Sequence, residues 1–475
     1  MSTFSRKWLP AWTILSLIVP GPSVAADAAD PGRQVSETAV ARLQNTNDKI
    51  VRAAFGKSVR VSPDSRRVAF IQWTGRQTAI MVDSKEIGRY DDVVEGTQVF
   101  SPDSQRFAFA ARRGTQRVFV LDGSERTGYG AVGANSVVFS SDSKRVVYAA
   151  KKADKWFVVA DGKEGSPHDA LGTANIAFSP DGRRLAYAAM EGEEWFLVLD
   201  GVAGKRYEAI GDASVTFSPD SRSVVHTAKV QGRWLLVIDG REGTACDEIA
   251  GRFAFSADSR RLAYLCRVGG EDLLIENENV QARHEAMGAL AFSPDGSRLA
   301  YAARVEGKWF IAIDGKAGNP YERLGAQFAF SPDGRRFAYA AYKNGGWYTV
   351  VDGTESGPYQ GIFDLTFSAD GKRFAYWAPV GKTPFVFADG EKLGPYTAIG
   401  AGSLTFSPDG QRVAYSAQRG NQTFVVLGGH EGTPHDGLVR GGKIIFDSVD
   451  RFHYIVGRIS GNSLLIQLVE ERLSR

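Results

Sequence analysis

One short phrase, Phe-Ser-Pro-Asp-Gly or a close variant, recurs at nearly constant spacing through most of the 475-residue chain. A fixed period of this length is typical of tandem structural units that bury their apolar faces against one another. The phrase therefore indicates eleven copies of one unit rather than several unlike domains. The copies begin at Val61, Phe100, Phe139, Phe178, Phe217, Phe255, Phe292, Phe330, Phe367, Phe406 and Phe446.

A single unit, Ser214 to Ile249, shows what each copy is expected to fold into. Short segments of alternating apolar and polar residues predict four strands of about half a dozen residues each. Pro219 and Asp220 favour a tight turn after the first strand, and Asp239 with Gly240 favours a turn after the third. Four antiparallel strands in about 39 residues are typical of a β-propeller blade. The units lack the 3.6-residue periodicity of helical repeats, which excludes a helical solenoid.

Eleven blades exceed the four to eight that propellers usually contain, so the number of rings is open. The sixth unit is the least regular, because Glu276 to Asn279 replaces its aspartate-glycine turn. We therefore expect two packed rings, with six blades in residues 49–290 and five in residues 291–475. A division into four plus seven blades and a single large ring are the alternatives.

The N-terminus predicts an exported protein. Arg6 and Lys7 precede an apolar run, and small residues at Ser23 and Ala25 suit a cleavage site, so residues 1–25 are interpreted as a signal peptide. Residues 26–48 are predicted to contain a short helix from Ser36 onward. The last unit lacks a fourth strand, and Ile50 to Phe55 is predicted to supply it. After cleavage no apolar segment remains that is long enough to span a membrane.

The extended phrase Phe-Ser-Pro-Asp-Gly-x-Arg-hydrophobic-Ala-Tyr, as in Phe178 to Tyr187 and Phe330 to Tyr339, resembles the TolB-like propeller repeat of the WD40-like class. The resemblance covers nearly the whole chain after the signal peptide. It implies a periplasmic or secreted interaction scaffold, and it brings no shared catalytic residues. The uniform stretch from Lys308 to Gly318, repeated in other units, departs from the pattern.

Three series of repeated side chains are better explained by packing and turn formation than by catalysis or ligand binding. One aspartate per phrase suits the turn, since an aspartate can accept hydrogen bonds from its own backbone. Aromatic residues that open the third strands suit packing between blades, with sugar stacking as the alternative. A third position, here called the column, carries Tyr or His, and metal binding there is disfavoured because its histidines belong to distant blades. The column residues are Tyr90, Tyr129, His168, Tyr207, Cys246, His284, Tyr321, Tyr359, Tyr396 and His435.

The loops between the second and third strands vary while the strands do not, so they are the candidate binding loops. We expect them to share one face of the propeller, to be rich in basic residues and to attract an acidic partner. A simple solvated surface is the alternative interpretation. The candidate residues are Arg112, Arg113, Lys151, Lys152, Lys155, Lys229, Arg233, Arg304, Lys308 and Lys343.

No catalytic or cofactor-binding motif is present in the sequence, so we expect no catalytic residue, metal or cofactor. The near-neutral net charge of +3 argues against nucleic acid as a partner. Cys246 and Cys266 are expected to be two packed thiols, with a disulfide as the alternative in an oxidising compartment. The sequence thus predicts a non-catalytic scaffold that binds a protein, a peptide or an envelope polymer. A propeller hydrolase or lyase with a site at the channel mouth is the alternative.

Overall fold

The computed structural model describes residues 33–43, 59–75, 77–461 and 463–473, and every regular element in them is a β-strand. The strands form eleven separate antiparallel sheets, one for each predicted repeat. The all-β propeller prediction, with eleven four-stranded blades, is therefore confirmed. Within these ranges the structure contains no helix long and apolar enough to cross a membrane.

The blades are numbered from 1 to 11 along the chain, and each contributes a first, second, third and fourth strand. In five blades the first strand is split into two short segments that both pair with the second strand. The first strands are Val59–Val61, Asp92–Val93 with Val99–Phe100, Ala131–Val132 with Val138–Phe139, Ala170–Phe178, Ala209–Ile210 with Thr216–Phe217, Glu248–Phe255, Ala286–Phe292, Arg323–Phe330, Phe363–Phe367, Ala398–Ile399 with Thr405–Phe406, and Gly437–Leu438 with Ile445–Ser448. The second strands are Val68–Thr74, Phe107–Arg113, Val146–Lys152, Leu185–Glu191, Val224–Val230, Leu262–Val268, Leu299–Val305, Phe337–Lys343, Phe374–Val380, Val413–Arg419 and Arg451–Ser460.

The third and fourth strands complete each sheet on the side away from the first strand. The third strands are Gln77–Val82, Gln116–Leu121, Lys155–Ala160, Glu194–Leu199, Arg233–Ile238, Glu271–Glu276, Lys308–Ile313, Gly346–Val351, Thr383–Ala388, Gln422–Leu427 and Ser463–Leu473. The fourth strands are Lys85–Tyr90, Ser124–Tyr129, Lys163–Glu164, Val202–Tyr207, Arg241–Glu242, Asn279–His284, Lys316–Ala317, Thr354–Tyr359, Glu391–Leu393, His430–Glu431 and, for blade 11, Arg33–Leu43. First strands contact one another across several of the junctions between neighbouring blades, which places the first strands innermost.

The N-terminal segment Arg33–Leu43 is the closing strand, because it pairs antiparallel with the last strand from Leu473 to Leu464. The predicted helix from Ser36 is therefore wrong over Ser36 to Leu43. The exposed edge of blade 11 offers unpaired backbone groups, and satisfying them outweighs the weak helical preference of this segment. The predicted closing strand, residues 50–55, lies outside the described residues, as does the predicted signal peptide. An N-terminal strand does complete the last blade, as expected.

The blades form one ring. A cluster of buried apolar side chains fills each junction between consecutive blades, here called a seam and written 1/2, 2/3 and so on. The seam at the expected boundary near residue 290 is packed like the others, with Leu265 of blade 6 against Tyr301 of blade 7. Leu43 and Ile455 of blade 11 pack with Val59 and Phe70 of blade 1. The expected division into two rings is therefore replaced by the single-ring alternative, because packing is continuous through all eleven seams.

Antiparallel order places the connections at two opposite ends of every blade. The turns after the first and third strands lie at one end, here called the turn face. The hairpins between second and third strands, and the links from one blade to the next, lie at the other end, here called the hairpin face. The candidate binding residues belong to the hairpin face.

Candidate functional site: the hairpin face

The turn face is occupied by bonds that hold the blades together. In blade 2 the Asp103 carboxylate accepts the Ser101 hydroxyl at 2.5 Å and the Gln105 backbone N–H at 3.0 Å. These hydrogen bonds, with the one from Ser101 largest, lower the pKa of Asp103. The backbone N–H of Asp103 donates to Ser143 of the next blade at 2.9 Å. The interpretation of the repeated aspartates as turn residues is confirmed.

An arginine at the start of the second strand clamps each of eight blades to the next. Arg184, for example, donates to Asp200 of its own blade at 3.0 Å and to the Arg222 carbonyl of blade 5 at 2.7 Å. Its guanidinium also lies 5.6 Å from the ring centre of Phe217. We call this arrangement the arginine clamp. The clamp arginines are Arg67, Arg106, Arg145, Arg184, Arg261, Arg298, Arg336 and Arg373.

On the hairpin face, most of the predicted basic residues pair with carboxylates of the same chain. Arg113 holds Glu125 with two contacts of 2.7 Å, and Lys343 holds Glu355 at 2.5 Å. The other pairs are Arg112 with Asp91, Lys152 with Glu164, Lys155 with Asp169, Arg233 with Asp247, and Arg304 with Glu285. Lys151, Lys229 and Lys308 have no ion pair among the described residues.

A repeated carboxylate outside the predicted candidate residues holds the backbone of the hairpins in place. It directly follows the column residue, in the link to the next blade, and accepts a backbone N–H from the hairpin end of that next blade at 2.6 to 3.1 Å. The signal was present in the sequence as an acidic residue at one phase of the repeat. These carboxylates are Asp91, Asp169, Glu208, Asp247, Glu285, Glu322 and Asp436.

Acidic and basic side chains therefore lie side by side on the hairpin face, and the turn face also carries exposed basic side chains. Lys144, Arg222 and Arg260 of the turn face have side chains that are 82%, 86% and 86% exposed. The expected concentration of basic charge on the hairpin face is not present, since charges of both signs occur at both ends. What distinguishes the hairpin face is its variable sequence on a fixed backbone.

The repeated aromatic residues pack between blades, as predicted. The Tyr129 and Tyr148 hydroxyls of neighbouring blades lie 3.0 Å apart, and the His168 ring lies 5.8 Å from that of Tyr187. His226 and His453 are buried, while His430 is exposed. Of the third-strand tryptophans, Trp156, Trp195 and Trp309 pack half-buried against seam clusters. Trp234 and Trp347 are also half-buried at the same position.

Cys246 and Cys266 form a disulfide between blades 5 and 6, so the favoured prediction of two thiols is wrong. The column position of one blade faces the second strand of the next. This geometry brings the two Cα atoms to 5.5 Å, within the usual span of a disulfide.

No constellation typical of catalysis or metal binding is found where side chains are described. No group of three or more His, Cys, Asp or Glu side chains there is placed to hold a metal ion. A cleft between blades 1 and 2, lined by Arg60, Phe70 and Gln98, encloses only about 10 Å³. This volume is below the roughly 300 to 1,000 Å³ of typical small-molecule sites.

No protein-family model and no curated protein matches the chain. Among solved structures, a eukaryotic initiation factor is 14% identical, with a TM-score of 0.40, over 67% of this chain and 89% of its own. TolB from Acinetobacter baumannii is 13% identical, with a TM-score of 0.24, over 60% and 95%. The propeller domain of the Trilobed protease from Pyrococcus furiosus is 13% identical, with a TM-score of 0.28, over 53% and 91%. These similarities concern the propeller architecture alone.

Proposed function

We propose that this protein is an exported, non-catalytic scaffold that binds a protein, a peptide or an envelope polymer on its hairpin face. The observation that carries the proposal is the difference between the turn face, which is uniform in sequence, and the hairpin face, which is variable. At the turn face, the same aspartate turns and arginine clamps recur in most repeats, and their bonds hold neighbouring blades together. The hairpins vary in sequence, while carboxylates hold their backbones in place. A varied surface on a rigid backbone is preorganised for binding.

Free cations beside half-buried tryptophans favour an acidic partner with apolar groups. Lys151 lies directly across the strand pair from Trp156, and Lys229 lies across from Trp234. Both lysines lack an ion pair among the described residues, so a partner carboxylate would not have to displace an existing one. Tryptophan next to a cation offers apolar contact and charge recognition in one place.

Export is part of the proposal, and two features support it. The sequence of residues 1–25 has the basic, apolar and small-residue regions of a signal peptide. The Cys246–Cys266 disulfide suits an oxidising compartment such as the periplasm or the extracellular space.

A matched pair of charge reversals tests the binding face. The hairpin-face variant carries Lys151→Glu, Lys229→Glu and Lys308→Glu, and the turn-face control carries Lys144→Glu, Arg222→Glu and Arg260→Glu. Both change the net charge by the same amount. Affinity chromatography from envelope extract, followed by titration of the captured component, measures binding. We expect the hairpin-face variant to weaken binding about tenfold or more and the control to change it little.

Two results would contradict the proposal. Equal weakening by both variants, with unchanged thermal stability, would show that the hairpin face has no special role. Turnover in a panel of hydrolase and lyase substrates that disappears when channel-mouth residues are changed would instead support the enzyme alternative.

A further inference from the structure

Three of the eleven seams lack an arginine clamp, and each has a different replacement. At seam 10/11, Arg33 of the closing strand donates to the Val425 and His430 carbonyls at 3.3 and 3.1 Å. At seam 11/1, Arg66 lies 2.9 Å from Asp447 and 2.8 Å from Glu470. Both replacements are non-covalent and use charged side chains.

Seam 5/6 retains every part of the clamp except the arginine. Ser223 occupies the arginine position in blade 5. Asp239 still accepts the Val224 backbone N–H at 2.9 Å, as clamp aspartates do in other blades. Phe255 of blade 6 occupies the ring position over which the arginine would lie. The polar surroundings of the clamp are thus present without their cation.

The only disulfide in the chain crosses this same seam. Cys246 occupies the column position of blade 5, and Cys266 lies in the second strand of blade 6. Both side chains are fully buried, within the apolar cluster of Leu236, Tyr264 and Ile275. A hydrogen bond at the turn face also joins the two blades, because the Asp220 backbone N–H donates to the Ser259 hydroxyl at 3.0 Å.

We propose that the Cys246–Cys266 disulfide replaces the missing arginine clamp, and that it makes seam 5/6 a redox-sensitive joint at which the ring opens first. The two sulfurs are buried in the closed ring, so a dithiol reductant reaches them when seam 5/6 opens transiently, and it then breaks the S–S bond by thiol–disulfide exchange. The dithiol supplies two electrons and two protons, two cysteine thiols form, and the dithiol itself becomes a disulfide. The seam then keeps its apolar contacts and loses its cross-link, while eight other seams keep their arginine clamps.

Hydrogen–deuterium exchange measured by mass spectrometry on the full chain tests this joint. The cross-link is removed by Cys246→Ser with Cys266→Ala. The serine hydroxyl can donate to the Thr244 carbonyl, which lies 3.3 Å from the Cys246 sulfur. Alanine is the residue that most other blades carry at the position of Cys266. We expect exchange in Arg233–Ile238 and Leu262–Val268 to rise about tenfold, with little change in Phe107–Arg113 of blade 2.

Ser223→Arg supplies the missing clamp and is the decisive variant. We expect it to restore protection at seam 5/6 when the cysteines are absent and to add less when the disulfide is intact. If the double-cysteine variant does not fold, the wild type and Ser223→Arg are compared during reduction with dithiothreitol, where Ser223→Arg should exchange more slowly. Equal effects of Ser223→Arg with and without the disulfide would overturn the proposal. Exchange that rises equally in blade 2 would overturn it as well.

Discussion

At the scale of single residues, His226 is placed where most blades carry a tyrosine, and its burial makes stability depend on pH. Both ring nitrogens are buried without a hydrogen-bond partner, and the neighbouring Tyr207 hydroxyl also lacks one. Desolvation lowers the pKa of His226 from 6.5 to about 4. The folded protein therefore favours the neutral ring, whereas the unfolded chain binds a proton below pH 6.5. This contribution to stability is present above pH 6.5 and is lost as the pH falls toward 4.

We predict that His226→Tyr raises stability and reduces its loss in acid. The new hydroxyl can pair with Tyr207, as the Tyr396 and Tyr415 hydroxyls pair at 2.9 Å. The pH-dependent part amounts to at most about 3 kcal/mol between pH 7 and pH 4. Denaturant midpoints at several pH values measure it, with exposed His430→Tyr as the control. An unchanged pH dependence in His226→Tyr would contradict this assignment.

Two adjacent arginines of blade 4 allow the effect of the clamp on stability to be distinguished from the effect of an exposed positive charge. Arg184 makes the clamp described above, while Arg183 is exposed at the turn face. We predict that Arg184→Ala lowers the free energy of unfolding by about 2 kcal/mol, because it loses a carboxylate, a carbonyl and a ring contact. Arg183→Ala should cost less than about 0.5 kcal/mol. Urea denaturation checks the difference, and similar losses for the two variants would exclude the clamp as a stabilising feature.

At the scale of elements, the closing strand is held by a buried ion pair. Arg33 lies 3.2 Å from Glu471, and both side chains are almost fully buried. The Tyr454 hydroxyl also donates to Glu471 at 2.5 Å. Burial raises the pKa of Glu471, although Arg33 and the tyrosine bond oppose this shift. Removing only the cation would leave the carboxylate buried without its partner.

We predict that Arg33→Ala destabilises the protein by about 3 to 5 kcal/mol and loosens the closing strand. Arg33→Ala combined with Glu471→Gln should recover part of this loss, since the glutamine carries no buried charge. Thermal unfolding, together with limited proteolysis within the closing strand Arg33–Leu43, measures both effects. A single variant as stable as the wild type, with an equally resistant closing strand, would show that the pair does not fasten the ring.

The sequence predicted the elements best where their causes are local. Pro219, Asp220 and Gly240 specify turns within a few residues, so the four-strand blade could be predicted from one unit. The closing strand could not, because its partner lies more than 400 residues away and its own preference is weak. The clamp and the disulfide also join neighbouring blades. In seven blades the arginine is followed 16 residues later by an aspartate, and this spacing would have revealed the clamp and its absence at Ser223.

At the scale of the whole molecule, ring number follows from how the blades pack rather than from any local pattern. The irregular turn at Glu276 to Asn279 suggested a boundary. Asn277, however, occupies the usual aspartate position and accepts the Leu262 backbone N–H at 2.9 Å, and the adjacent Glu276 holds Arg261 at 2.5 Å. The clamp at seam 6/7 is therefore preserved by a different acidic residue. The strand order likewise predicts that the hairpins share one face. The pairing of the charges on that face could not be predicted, because it depends on side chains that only the folded structure brings together.

Single-particle electron cryomicroscopy of the full chain tests whether the eleven blades form one ring. A single ring gives views along the axis with eleven blades around one opening, and with the strand Arg33–Leu43 on the outer edge of the last blade. Two smaller rings, or a ring of fewer blades with the remaining repeats outside it, would contradict the single ring.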